Sequence, residues 1–313
     1  MARNEADLKG IGMKNLPASI RARLRNTARQ NGWDFNRLSL IFFQERFLAR
    51  LSRSSHTNRF VLKGGLYLYA RFGQEARPTK DVDVLGRGLP SDLEIIAEIM
   101  REVQEIELED GVQFNPNSLK TSRIKEGAEY EGVRVSFTGT LETMRQTLQI
   151  DIGFGDVVNP APKPFDFPVL LEDLSAPRVL AYSLETVIAE KFQSMTMLGA
   201  NNSRAKDFFD LWYASHHQRF EAIILEHTIK ATFTHRGTPL ERSLNLFTPA
   251  FARGEYVVQA WLGFRNANPN LQAPDSLEVV LERIQVFLEP VVLGQVQGNW
   301  EPILGVWQED QMD

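Results

Sequence analysis

Asp81 and Asp83 stand one residue apart in the short apolar run "TKDVDVLG", residues 79–86. Strand residues i and i+2 point to the same face, so the carboxylates share a side, roughly 6.6 Å apart at Cα, with Val82 and Val84 on the other. Carboxylates are costly to bury unless something pairs with them. Two oxygen ligands so placed suit Mg²⁺, with Mn²⁺ as the alternative, because such ions combine carboxylates with substrate phosphates and water. Two ions ~3.5–4 Å apart would stabilise both the attacking and the leaving oxygen of an in-line displacement. A pair of surface aspartates at a strand edge is the competing account, and D-x-D alone favours it.

Upstream, Lys63-Gly64-Gly65 lies between the strand-like "RFVLK" and a helix expected from Leu66. Glycine permits close backbone approach to an anion, and a helix N-terminus offers N–H groups and a positive dipole to a phosphate. A plain tight turn is the alternative. Strand, Gly-Gly, helix and D-x-D strand in succession are less often accidental than any one of them.

A third acid, Asp151 in "TLQIDIGFGD", alternates onto the face opposite Leu148, Ile150 and Ile152. It joins Asp81 and Asp83 if the strands are neighbours, whereas Asp156, past two glycines, is expected in a loop. In "SLETVIAEKFQSMTML" the apolar stripe holds Leu184, Val187, Ile188, Phe192, Met195 and Leu198, with Lys191 near its middle. A lysine there must snorkel to water or find an anion, either a nucleoside triphosphate or a core carboxylate. Glu190 falls on the opposite face and reads as ordinary surface. In "NSRAKDFFDLWYA", Arg204 and Asp207 can pair at i, i+3, while Asp207 and Asp210 flank the stripe of Phe208, Leu211 and Trp212. An intrahelical ion-pair network explains Arg204 better than it explains two aspartates beside that stripe. His56, His216, His217, His227 and His235 show no metal-ligand spacing, and no P-loop, nucleophile elbow or G-x-G-x-x-G occurs.

The elements that must position these residues follow from periodicity and punctuation. Helices are expected over 17–30, 35–53, from Leu66, and from Ser91 or Asp92. Alternation predicts antiparallel strands in "GVRVSFTGT" and "RQTLQIDIG", after Gly/Asn/Ser punctuation between 111 and 132. The proline-rich stretch 159–177 reads as a linker or domain boundary, and helices follow over 183–198, 205–216, 219–232, 254–265 and 276–289. The fold class is α+β, a mixed sheet with N-terminal helices and a helical C-terminal half. It divides into basic helices over 1–58, a sheet core over 59–160, a helical domain over 178–292 and a tail over 293–313.

With 313 residues, one large or two modest domains are expected. The absence of cysteine excludes disulfides and thiolate metal sites and fits a reducing cytoplasm. "MARNEADLKG" lacks the apolar core of a signal peptide, and "LIFFQERFLARL" is interrupted by Glu45 and Arg46, so no membrane partner is expected. The net charge of −5 hides an asymmetry: residues 1–80 carry 16 Lys and Arg against five acids, a net of +11, leaving −16 for the rest. That polarity suits an anionic partner on the N-terminal part; a solvated basic surface explains it as simply.

The stretches "RFVLKGGLYLYARF", "RPTKDVDVLG", "IDIGFGDVVNP", "YSLETVIAEKFQSMTMLGANNSRAKDFFDLW" and "TFTHRGTPL" closely resemble the AbiEii/AbiGii toxin family, from about Asn15 to about Pro290. The resemblance implies a nucleotidyltransferase fold of the polymerase-beta type, with 59–160 as its core. It implies catalytic, metal-binding roles for Asp81 and Asp83, and a phosphate contact for Lys191. It also implies an active-site role for the "R-x-K-D-x-x-D" group of Arg204, Lys206, Asp207 and Asp210. The superfamily's Gly-Ser pair is Gly64-Gly65 here, so a serine contact to phosphate is lost, and Asp151 resembles the superfamily's third carboxylate. The expected activity is Mg²⁺-dependent transfer from an NTP to an RNA acceptor, since some members modify the tRNA 3′ end. Such toxins act with a cognate antitoxin in type IV toxin–antitoxin or phage-defence systems. An NTP-binding regulator without turnover and a small-molecule nucleotidyltransferase are the alternatives; the +11 segment favours a polyanionic acceptor over a cationic aminoglycoside.

Overall fold

The computed structural model describes residues 15–126 and 130–309; the opening decapeptide and the last four residues of the tail lie outside the described residues. The helices are α1 (Leu16–Asn31), α2 (Phe35–Leu51), α3 (Gly64–Phe72), α4 (Leu93–Glu105) and α5 (Leu184–Leu198). They continue with α6 (Ala205–His217), α7 (Ala222–His235), α8 (Pro249–Ala252), α9 (Glu255–Ala267) and α10 (Leu277–Val292). The strands are β1 (Phe60–Lys63), β2 (Asp81–Gly86), β3 (Gln113–Glu126), β4 (Tyr130–Leu141), β5 (Met144–Phe154), β6 (Lys163–Asp166) and β7 (Arg178–Ala181). A second small set is β8 (Phe220–Glu221), β9 (Asn299–Glu301) and β10 (Val306–Gln308). None of the described helices is long and apolar enough to cross a membrane.

The chain divides into two compact units, one of residues 1–61, 80–154 and 164–180, the other of residues 62–79, 155–163 and 181–313. In the first, α1 starts where the Asn15 side chain accepts from the Ala18 N–H, with Pro17 in the first turn, and stops at Gly32 with φ 66°. Asp34 caps α2 by accepting from the Arg37 N–H. From Ile41 to Leu51 every side chain of α2 is buried, Glu45, Arg46 and Arg50 included. The charges that interrupted the apolar run are therefore internal. Arg50 grips Asp110 in a fork at 2.8 and 3.1 Å, while Arg46 lies beside Glu45 and donates to the Ser175 carbonyl.

The seven-stranded mixed sheet has the order β3-β4-β5-β2-β1-β7-β6, with β2 parallel to β5, and β5 and β3 each antiparallel to β4. The expected α+β arrangement with a mixed sheet is thus present. The stretch from 111 expected as turn punctuation instead contains the fourteen-residue β3. Its register shifts between Asn115 and Lys120, where Asn117 N–H donates to the Asn115 side chain and Ser118 Oγ accepts from the Thr138 N–H. Turn-forming residues are absorbed there in a bulge without ending the strand.

In the second unit, helices pack on α5, whose buried residues run from Leu184 to Thr196. The segment expected to begin a helix at 219 pairs first as β8, and α7 starts at Ala222. The tail is built in: β9 and β10 form a hairpin, Trp300 is fully buried, and its indole N–H donates to the Ser215 carbonyl at 2.7 Å.

Candidate functional site

Parallel pairing sets Asp83 directly beside Asp151 and Asp81 beside Gln149, so the three acids share one face of β2 and β5. Val82, Val84, Ile150 and Ile152 are buried on the other. The neighbour condition for Asp151 is met. Across the antiparallel pair, Arg134 of β4 stands opposite Asp151 and donates Nε and Nη2 to its two oxygens at 2.9 and 2.7 Å. That fork, the Asp151 charge and the charges of Asp81 and Asp83 raise the Arg134 guanidinium above its usual range. Among the described residues no three His, Cys, Asp or Glu side chains are grouped to hold one metal ion. Asp81 and Asp83, half-buried hard-oxygen donors on one face, fit Mg²⁺ in company with phosphate oxygens and water.

The second unit holds the remaining expected residues in two ionic networks. Lys191, 8% exposed, donates to Asp207 Oδ1 at 2.7 Å and lies 2.7 Å from Asp210 Oδ2. Arg204 Nε donates to the other Asp207 oxygen at 2.7 Å, and Arg77 Nε reaches both Asp210 oxygens at 3.0 Å. Arg204, Asp207, Lys191, Asp210 and Arg77 therefore form a chain of alternating charge. Burial pushes Asp207 up, but Lys191 and Arg204 outweigh it and hold the carboxyl well below its usual range. Lys206 projects outward; partial desolvation, then Arg77, with Arg204 and Lys191 behind it, lowers its ammonium against the pull of Asp207.

Gly64 and Gly65 form the first turn of α3 and do not precede it at Leu66. Gly64 has φ +67°, a conformation that favours glycine. A Cβ on Gly65 would stand 2.8 Å from Thr79 Oγ1 and 3.2 Å from Arg77 Nη1. The space of a side chain at 65 is already filled.

Lys63, just before them, donates to Asp156 at 2.9 Å and to Glu190 at 3.1 and 3.3 Å. Arg236 donates to Asp156 at 2.9 Å and lies 3.4 Å from Glu190, which also accepts from the Tyr182 hydroxyl. Burial raises Asp156, yet Lys63 and Arg236 hold it down at about 2. Burial lowers Lys63, yet Glu190, Tyr182 and Asp156 hold it well above its usual range. Glu190 is thus no ordinary surface residue: it closes a four-charge cluster that the helical period of α5 alone could not reveal. Asp156 does lie in a loop. Sequence reasoning passed over Arg77, Arg134 and Arg236 as site residues; Arg77 sits four residues before Asp81, and Arg236 follows His235 in "THRG".

A family model described as nucleotidyl transferase AbiEii toxin, Type IV TA system, matches residues 46–293, roughly four-fifths of the chain. Comparison with curated proteins finds no match. Among solved structures, a proposed nucleotidyltransferase of H. pylori is similar at TM-score 0.47 and 16% identity, over 83% of this chain and 95% of that one. JHP933 from Helicobacter pylori gives 0.45 and 17%, over 83% and 92%. ANT(2")-Ia in complex with adenylyl-2"-tobramycin gives 0.32 and 13%, over 64% and 98%.

Proposed function

We propose that this chain, which belongs to the AbiEii family of nucleotidyl transferase toxins of Type IV toxin–antitoxin systems, moves a nucleotide from an NTP to an RNA acceptor, the 3′ end of a tRNA. Family membership makes it a nucleotidyltransferase with an NTP as substrate and an antitoxin as partner. The acceptor, the divalent ion, the cytoplasmic setting and a role in phage defence belong to this reading. The observation that carries it is the acidic face: Asp81 and Asp83 point one way beside Asp151, on strands whose other face is core.

In the reaction, the acceptor hydroxyl oxygen bonds to the α-phosphorus, the bond to the β-phosphate oxygen breaks, and pyrophosphate leaves with that electron pair. The hydroxyl proton passes to solvent. Asp81 and Asp83 would hold Mg²⁺ or Mn²⁺, which when bound neutralises and orients phosphate oxygens. In the second unit, Lys191 has three N–H donors and is already braced by Asp207 and Asp210, so its remaining donor suits a phosphate oxygen. The backbone N–H groups of Gly64 and Gly65 at the start of α3 suit another. Arg204 and Lys206 contribute positive charge to the same network, and Lys63 fixes the strand end before the glycines.

Turnover of radiolabelled NTP with bulk RNA tests the reading. Label should enter RNA with the wild type and fall about a thousandfold in Asp83→Ala, the kinetic equivalent of roughly 4 kcal/mol. The melting temperature should stay near wild type, because Asp83 lies on the half-buried face and not in core. Full transfer by Asp83→Ala, or by wild type in excess EDTA, sinks the mechanism. Labelling of an aminoglycoside in place of RNA would reassign the acceptor.

A further inference from the structure

The acidic face carries its own cation. Arg134 and Asp151 are direct cross-strand neighbours, so their side chains lie on one face, and the guanidinium meets both carboxylate oxygens in a planar fork. Asp151 also accepts from Gln149 Nε2 at 3.4 Å. Asp83 is the parallel-strand neighbour of Asp151, and both Asp81 and Asp83 act electrostatically on Arg134. A guanidinium stays charged at any working pH and is less strongly hydrated than an ammonium, which suits it to a lasting ionic contact.

We infer that Arg134 is a positioning residue that fills the place of a second cation, so that this face takes one divalent ion, at Asp81 and Asp83, instead of two. The inference rests on the metal-binding role proposed for Asp81 and Asp83. A two-ion site needs a carboxylate free to turn toward the second ion, about 3.5–4 Å from the first. Asp151 has both oxygens committed to the fork. An ion arriving there must displace the guanidinium or sit against its charge. Arg134 is thereby a fixed counter-charge that holds Asp151 in one orientation next to Asp83. The plain alternative is a partly exposed cross-strand ion pair, worth little and indifferent to metal.

Stoichiometry separates the two. Mn²⁺ is titrated into the full chain without nucleotide, counting bound ions from the loss of the free-ion electron paramagnetic resonance signal, with circular dichroism verifying the fold. Wild type should bind one Mn²⁺, and Arg134→Gln should bind a second, because Asp151 is released while the half-buried fold survives. Arg134→Lys, which keeps the charge, should remain at one. Asp83→Asn should lose the wild-type ion, which locates it. Two ions on wild type, or one ion on Arg134→Gln, overturn the inference and leave the role of Asp81 and Asp83 standing. Two ions on Arg134→Lys also overturn it, since charge would then not be what excludes the second. If neither wild type nor Arg134→Gln binds Mn²⁺, the inference falls together with the metal reading beneath it.

Discussion

Each unit buries a carboxylate beside cations, yet the two are driven in opposite directions. In the first unit Glu45 is fully buried, and burial pushes it up to about 7 against Arg46 and the Leu170 N–H. In the second, Asp156 is held at about 2, because Lys63 and Arg236 overcome its burial. The number of cations makes the difference. Glu45 has Arg46 alone, 2.5 Å away, and the like charge of Asp110 works against it, whereas Asp156 accepts a bond of 2.9 Å from each of two cations. One neighbouring cation does not repay this desolvation; two do.

The same contrast scales up to whole networks. The chain from Arg204 to Arg77 is buried at its centre, with Asp207 fully enclosed, while the face bearing Asp151 remains partly open. Removing one partner from an enclosed ionic network leaves an uncompensated buried charge. Asp207→Ala should therefore cost about 3–5 kcal/mol in urea denaturation. Asp151→Ala should cost under about 1 kcal/mol, as exposed pairs do. Equal losses from the two substitutions would erase the distinction between the regions.

A smaller effect tests the opposite titrations. Folded Glu45 keeps its proton up to about 7, while the unfolded chain loses it near 4.5, so its contribution to stability falls as pH rises through that window. Glu45→Gln, which can still accept from the Leu170 N–H, should change little at pH 4 and stabilise by up to about 3 kcal/mol at pH 8. Asp156 runs the other way: its contribution is complete above the unfolded value of 3.8 and is lost as pH falls toward about 2. Asp156→Asn should cost up to about 2 kcal/mol at pH 6, with the difference closing near pH 2. Unfolding midpoints across this range settle both signs, and parallel pH profiles for the two variants would refute the contrast.

How much of this was legible depended on whether a rule is local. Strand alternation placed Asp81 and Asp83 on one side, and Asp151 opposite Leu148, Ile150 and Ile152, because a period of two fixes facing within a strand; joining Asp151 to the pair took the β2–β5 register. Helical period placed Lys191 mid-stripe and so called for water or an anion; Asp207 and Asp210 stand there. The cap at Asp92 was equally local. What failed needed tertiary knowledge. Glu190 is polar-faced on its own helix, but Lys63 and Arg236 cover that face. Arg134 lies in an ordinary alternating strand, and only register gives it Asp151. β3 was hidden because Asn115, Pro116, Asn117 and Ser118 read as a turn, while the chain uses them in a bulge.

The smallest expected effect concerns surface charge, where the outward arginines of α1 contrast with the internal cations of α2 and of the ionic networks. Of the sixteen cations in residues 1–80, Arg46 and Arg50 are buried in α2, and Lys63 and Arg77 sit in the ionic networks, so the outward charge is well short of +11. Arg21, Arg25 and Arg29 follow one another at i, i+4, i+8 along α1. Arg25 and Arg29 are exposed, whereas Arg21 is half-buried and tied to Glu142 at 2.9 Å. Arg23 pairs with Asp173 and serves as a control. If the acceptor RNA lies along this line, each phosphate contact contributes ~0.7–0.9 to the slope of log affinity against log salt. Changing Arg21, Arg25 and Arg29 together to Gln should flatten that slope by about 2, Arg21 adding least, with NTP binding unchanged. Arg23→Gln should leave the slope where it is. An unaltered slope in the triple variant would mean that α1 carries only solvated charge and that the RNA docks elsewhere.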